Sequence, residues 1–131
     1  MSRLKVRIEK DDDGSYIAYN IEPDNLVLLG RGDTVQEAKD DFLNSIAEAK
    51  ECEGVPSDYL EEEPEFSFDI SSLFEYFSMI NASGLARYIG INPSLMRAYR
   101  KGDTYVSDKQ LKRIEDGLHD LGNKLSSLRI V

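Results

Sequence analysis

The chain is predicted to be an α+β protein in which a small antiparallel sheet with one covering helix precedes an all-α domain. Three observations carry this expectation. Leu4, Val6 and Ile8 alternate with Lys5, Arg7 and Glu9, the period of a strand with one buried face. Beyond residue 70 or so the apolar spacing becomes helical and stays so. The charge divides at a similar place: residues 1–63 hold 7 Lys/Arg against 17 Asp/Glu, a net of −10, whereas residues 64–131 hold 9 against 8, a net of +1. Two units are therefore expected, 1–70 and 71–131, with partners of different kinds.

In chain order, Asp11-Asp12-Asp13-Gly14 is a turn and Tyr16–Ile21 the returning strand of a hairpin. A third strand is expected over Leu26–Leu29, ending at Gly30–Gly32. Thr34 with Glu37 forms a capping box that opens a helix running to about Glu51. Val35, Ala38, Phe42, Ile46 and Ala49 share one face of that helix and should cover the sheet. The acidic stretch Glu53–Glu65, with Pro56 and Pro64, reads as a connection, and Phe66, Phe68 and Ile70 as a fourth strand. Leu73, Phe74 and Phe77 mark a short helix, the first of four.

Ala82–Lys101 meets the demands of a helix-turn-helix. Leu85 and Ile89 anchor the first helix, Ala86 is the small residue at the crossing, Gly90 makes the turn and Ile91 fills the gap. Asn92 is a good N-cap, Pro93 suits the first helical position, and Gly102 ends the second helix. With Met96 and Tyr99 inward, Ser94, Arg97, Ala98 and Lys101 share the opposite face. Arg97 is then the candidate for a bidentate guanine contact, with Ser94 and the Ala98 methyl placed to read a neighbouring base or a thymine methyl and Asn92 at the helix start. Arg100, Lys101 and Lys109 lie where phosphate contacts belong. Residues 82–113 hold seven bases and two acids, a local net of +5. Double-stranded DNA, as an inverted-repeat operator, is the expected partner.

Ser107 and Gln110 form a second capping box opening a last helix, along which Leu111, Ile114, Leu118, Leu121, Leu125 and Leu128 recur. That seam exceeds a small core, so its distal end is expected to pack on a second copy, giving at least a dimer. Gly117 and Gly122 weaken the helix, and Leu128–Val131 could instead be a short strand.

Other chemistries find little support. The single cysteine, Cys52, fits a reducing cytoplasm, and the single histidine, His119, cannot build a histidine-based metal site. No apolar run reaches the length of a membrane span, so no membrane partner is expected. Two-metal ribonuclease chemistry needs converging carboxylates, whereas consecutive Asp11, Asp12 and Asp13 diverge. No catalytic residue, metal or cofactor is expected, and the chain is not read as an enzyme.

Two segments resemble known families. Ile8-Glu9-Lys10-Asp11-Asp12-Asp13-Gly14-Ser15-Tyr16-Ile17-Ala18-Tyr19 and Gly32-Asp33-Thr34-Val35-Gln36-Glu37-Ala38 resemble the HicB antitoxin family. Gly84-Leu85-Ala86-Arg87-Tyr88-Ile89-Gly90-Ile91-Asn92-Pro93 resembles the Cro/XRE-type helix-turn-helix of phage repressors. The resemblance implies a partial ribonuclease-H-like N-terminal fold that blocks a small basic HicA-like toxin, an RNA-cleaving protein. It also implies that the C-terminal domain represses the shared operon. In place of the family's "P-G-C/V" stretch the chain has a shortened Glu22-Pro23-Asp24-Asn25. Two other readings stay open: a stand-alone repressor, or a protein-sequestering module that does not bind DNA.

Overall fold

In the computed structural model, which describes residues 3–52, 54 and 57–131, the chain is α+β, with a four-stranded mixed sheet and five α-helices among the described residues. It divides into two compact units, residues 1–78 and 79–131.

In the first unit β1 (Lys5–Lys10) and β2 (Tyr16–Glu22) form the expected hairpin, pairing Val6 with Asn20 and Ile8 with Ala18. Gly14 takes φ 86° at the turn, a conformation that glycine adopts without penalty. Leu4, Val6, Ile8 and Ala18 are fully buried. Helix α1 (Val35–Lys50) begins at the N-cap Thr34, whose side chain accepts a hydrogen bond from the Glu37 amide, and buries Val35, Ala38, Phe42, Ile46 and Ala49. Glu37 reaches back to the amide of Asp33, one residue before the cap.

The third strand differs from expectation. β3 spans Leu29–Gly32, three residues later than the apolar run suggested. Residues 26–28 are instead tied down by Asn20, whose side chain donates to the Pro23 and Leu26 carbonyls and accepts from the Leu28 amide. Gly30 and Gly32 lie within the strand as the points where α1 presses on the sheet. A Cβ on Gly30 would stand 2.3 Å from the Phe42 amide nitrogen and 2.4 Å from the Ala38 carbonyl oxygen.

The sheet is not purely antiparallel. Its order is β3-β2-β1-β4, and β4 (Glu65–Phe68) runs parallel to β1, pairing Phe66 with Val6 and Phe68 with Ile8. A parallel partner needs a long crossover, and residues 33–64, with α1 and the 3-10 turn Ser57–Leu60, supply it. Glu53, Val55 and Pro56, within the expected connection, lie outside the described residues. Ile70 does not extend β4. Asp69 caps helix α2 (Ile70–Tyr76) by accepting from the Ser72 amide, and also accepts from the Lys10 amide at the end of β1.

The boundary expected at residue 70 falls instead after Ser78, because α2 is built into the sheet unit. Glu75 of α2 accepts a hydrogen bond from the Val35 amide in the first turn of α1, at 2.9 Å. Tyr76 stacks on Phe68 of β4, and Lys39 lies over the Phe66 and Tyr76 rings. Two helices, not one, therefore pack on the sheet.

The second unit is α3 (Ala82–Ile89), α4 (Pro93–Lys101) and α5 (Asp108–Ser126), capped by Asn81, Asn92 and Ser107. Leu85, Ala86, Ile91, Met96, Tyr99 and Ile114 are buried. Leu111, expected in that core, is 40% exposed, and Leu128–Val131 form no strand. Gly117 is a close-approach point as well as a weak helix former: a Cβ there would lie 2.5 Å from Cγ1 of Ile89.

Candidate nucleic-acid interface

The site is built on the α3–α4 pair. α3 starts where Asn81 accepts from the Gly84 amide at 2.7 Å and stops at Gly90, whose φ of 91° lets the chain reverse. The amides of Gly90 and Ile91 both reach the Ala86 carbonyl at 2.8 Å, so the turn is closed twice over. Arg113 of α5 donates to the Gly90 carbonyl at 2.8 Å and fixes the turn against the third helix. α4 then opens at Asn92, whose Oδ1 accepts from the Ser94 and Leu95 amides, with Pro93 at the first helical position.

Burial decides which side of α4 is available. Met96 and Tyr99 face the core at 0% and 5% exposure, and the Tyr99 hydroxyl accepts from Gln110 of α5. Ser94, Arg97 and Lys101 are exposed, and Ala98 between them is half-buried. The structure places Ser94 and Arg97 together: Nη2 of Arg97 donates to Ser94 Oγ at 3.0 Å. Nη1 donates to Ser83 Oγ on α3 at 2.8 Å. Asn92 is exposed, with its carbonyl oxygen committed to the helix cap. Arg100 and Lys101 are exposed in the last turn of α4, where cations complement the helix dipole. Lys109 is exposed in the first turn of α5.

The electrostatics refine the count of bases. Lys112 pairs with Asp116 at 2.9 Å, and the same carboxylate raises the pKa of the lysine. Arg113 is engaged at Gly90. That contact is to a neutral carbonyl and leaves the Arg113 charge in place, and residues 76–102 hold Arg87, Arg97, Arg100 and Lys101 with no Asp or Glu. The Tyr88 hydroxyl donates to Asp120 at 2.5 Å, and Lys124 sits 3.3 Å from the same carboxylate and over the Tyr88 ring. The Tyr88 bond first, and Lys124 second, hold the Asp120 carboxyl below the usual range, tying α3 to α5.

Two residues here escaped sequence reading. Ser83 carries no motif, and Arg113 lies 23 positions from the carbonyl it holds. The i, i+3 pairing of Ser94 with Arg97 was legible; the contacts across helices were not.

In the first unit, Asp11 and Asp13 spend their carboxylates locally. Asp11 accepts from the Asp12 amide and pairs with Arg31 at 3.2 Å, while Asp13 accepts from both the amide and the hydroxyl of Ser15. Among the described residues no group of three or more His, Cys, Asp or Glu is arranged to hold a metal ion, and no helix is long and apolar enough to cross a membrane. Cys52 is free and exposed. Alongside α1, an open groove of about 540 Å³ has Leu43, Ile46, Ala47 and Leu60 in its lining and acids Glu51, Glu61, Glu62 and Glu63 around it. No protein-family model, curated protein sequence or solved structure matches the chain.

Proposed function

We propose that the chain binds DNA sequence-specifically through α3 and α4, acting as a helix-turn-helix of Cro/XRE type. One observation carries this reading: α4 is locked by Met96 and Tyr99 on one side and presents Ser94, Arg97 and Lys101 on the other, in a stretch without acids. DNA presents closely spaced phosphates, so a helix entering the major groove needs a cationic, acid-free approach and a hydrogen-bonding face. Arg97 reads guanine; Arg100, Lys101 and Lys109 contact phosphates. The test is a mobility shift across a salt series, comparing the upstream region of its own reading frame with random duplex. Lys101→Ala and Lys109→Ala should each lower the salt slope by about 1 while weakening all sequences alike. Arg97→Ala should cost about 1–3 kcal/mol on the specific site only. Binding that ignores salt, or Arg97→Ala losses equal on both duplexes, would refute the reading.

A second role is supported by the other unit. Residues 1–63 carry a net of −10, and the groove beside α1 combines apolar lining with four glutamates. Such a surface suits a small basic protein, as a HicA-like RNA-cleaving toxin would be, and speeds its encounter. On this reading the first unit is the HicB-like, partial ribonuclease-H-like half of an antitoxin that represses its own operon in a reducing cytoplasm. Because Glu75 of α2 caps α1, the fragment to test is 1–78 rather than 1–70. It should neutralise a co-encoded toxin without binding DNA. If 1–78 folds and neutralises nothing encoded beside it, the protein is a stand-alone repressor.

The same proposal includes self-association. Leu125, Leu128 and Ile130 are 58%, 61% and 92% exposed, an apolar trail at the end of α5 suited to a second copy. Truncation after Lys124 should then convert a dimer to monomers in sedimentation; a monomeric full chain at micromolar concentration would rule the dimer out.

A further inference from the structure

We infer that Ser83 is a positioning residue that presets the Arg97 guanidinium for one guanine in the major groove, an inference resting on the DNA-binding reading above. The observation is a pair of hydroxyl acceptors on two helices. Ser83 Oγ of α3 accepts from Nη1 at 2.8 Å, and Ser94 Oγ of α4 accepts from Nη2 at 3.0 Å. Ser94 travels with Arg97 on the same helix, so by itself it restrains the side chain only locally. Ser83 belongs to the other helix, and its place is set by the burial of Ala82, Leu85 and Ala86 around it. The second contact therefore fixes the guanidinium plane relative to the whole helix pair.

The chemistry suits the task. Asn81, not Ser83, accepts from the Gly84 amide in capping α3, so the cap does not call on the Ser83 hydroxyl. Arginine offers five N–H donors in a rigid fork. The two serines engage one on each terminal nitrogen, leaving Nε–H and one hydrogen on each Nη for a base edge. A carboxylate at position 83 would hold the arginine as firmly, yet it would cancel its charge and repel phosphates. A hydroxyl orients without neutralising. An exposed arginine otherwise samples many rotamers, and ordering it on binding is a cost that prior orientation removes.

The experiment uses the full-length chain and a randomised duplex library, from which the preferred site is selected and each base position then varied. Ser83→Ala should lower the preference for the Arg97-dependent guanine by about five- to tenfold, the loss expected for one orienting hydrogen bond. Affinity for random duplex and the salt slope should not change, and Ser83→Thr should restore the preference. In a double-mutant cycle Ser83→Ala should add nothing once Arg97 is Ala. Independently of DNA, NMR of the Arg97 side chain should show slowed guanidinium rotation that Ser83→Ala releases. If the intact chain selects no sequence, both the DNA-binding reading and this inference fall. If it selects a guanine through Arg97 and Ser83→Ala leaves that preference unchanged, the inference alone falls. Tighter specific binding by Ser83→Ala would overturn it too, since the serines would then be holding Arg97 away from the groove.

Discussion

Two glycines on α5, Gly117 and Gly122, test how α3 is held in place, because they differ chiefly in what a methyl group would meet. Both sit inside the helix, where alanine is favoured over glycine by about 1 kcal/mol. A Cβ at Gly122 would meet nothing within 4 Å among the described residues outside its own helical turn. Gly122→Ala should therefore stabilise the unit by about 1 kcal/mol. A Cβ at Gly117 would lie 2.5 Å from Cγ1 and 2.8 Å from Cδ1 of Ile89. Carbon atoms pack best at about 3.5–4.0 Å, so α3 and α5 would have to separate by roughly 1 Å. Ile89 has few alternatives, because a β-branched side chain in a helix is confined to one χ1 rotamer. Overpacking of this kind costs about 1–3 kcal/mol. Set against the propensity gain, Gly117→Ala should range from neutral to about 2 kcal/mol destabilising, leaving it roughly 1–3 kcal/mol below Gly122→Ala. Amide hydrogen exchange in α3 and α5 reads this unit alone, and circular dichroism melts should separate the two variants by about 5–20 °C. Because Ile89 precedes the turn at Gly90, Gly117→Ala should also weaken DNA binding while Gly122→Ala does not. Equal stabilisation by both alanines would refute the packing argument.

Three further outcomes follow from the same geometry. Gly30→Ala should destabilise the first unit by about 1–3 kcal/mol, since its Cβ would meet the backbone of α1, which cannot rotate away; a urea midpoint unchanged from wild type would contradict this. Ser72 is fully buried and its hydroxyl has no hydrogen-bond partner among the described residues, so Ser72→Ala should be neutral or stabilising by up to about 1 kcal/mol in the same assay. The Asp120 carboxyl titrates below its ordinary 3.8, held there first by Tyr88 and then by Lys124. Its contribution is present above pH 3.8 and lost as pH falls through the lower folded value, so Tyr88→Phe should move the Asp120 titration upward in NMR and blunt acid destabilisation of the second unit.

How much was legible depends on the range of the interaction. The hairpin with its Asp-Gly turn, the five buried residues of α1, and the caps at Thr34, Asn92 and Ser107 all follow from spacings within a few residues. The glycines misled for a physical reason. Glycine marks either a turn or a close approach, and sequence shows only that a side chain is missing. Gly90 is the first kind, while Gly30, Gly32 and Gly117 are the second. Ile70 continues the alternation of Phe66 and Phe68, yet it begins α2. Asp69 was the signal available for the opposite reading, since an Asp ahead of Ser71 and Ser72 is a good N-cap.

The α3–α4 site shows the same division. Its anchors, turn, cap and exposed basic face were determined by the sequence, because each rests on a residue's own conformational preference or on helical periodicity. The parallel seating of β4, the membership of α2 in the sheet unit, and the grip of Ser83 and Arg113 on Arg97 and Gly90 were decided only by the tertiary structure. These join residues between 14 and 61 positions apart, and no local preference ranks such pairings against their alternatives. They are selected when burying the apolar faces of α1, β1 and α3 leaves a single arrangement in which the remaining donors and acceptors also find partners.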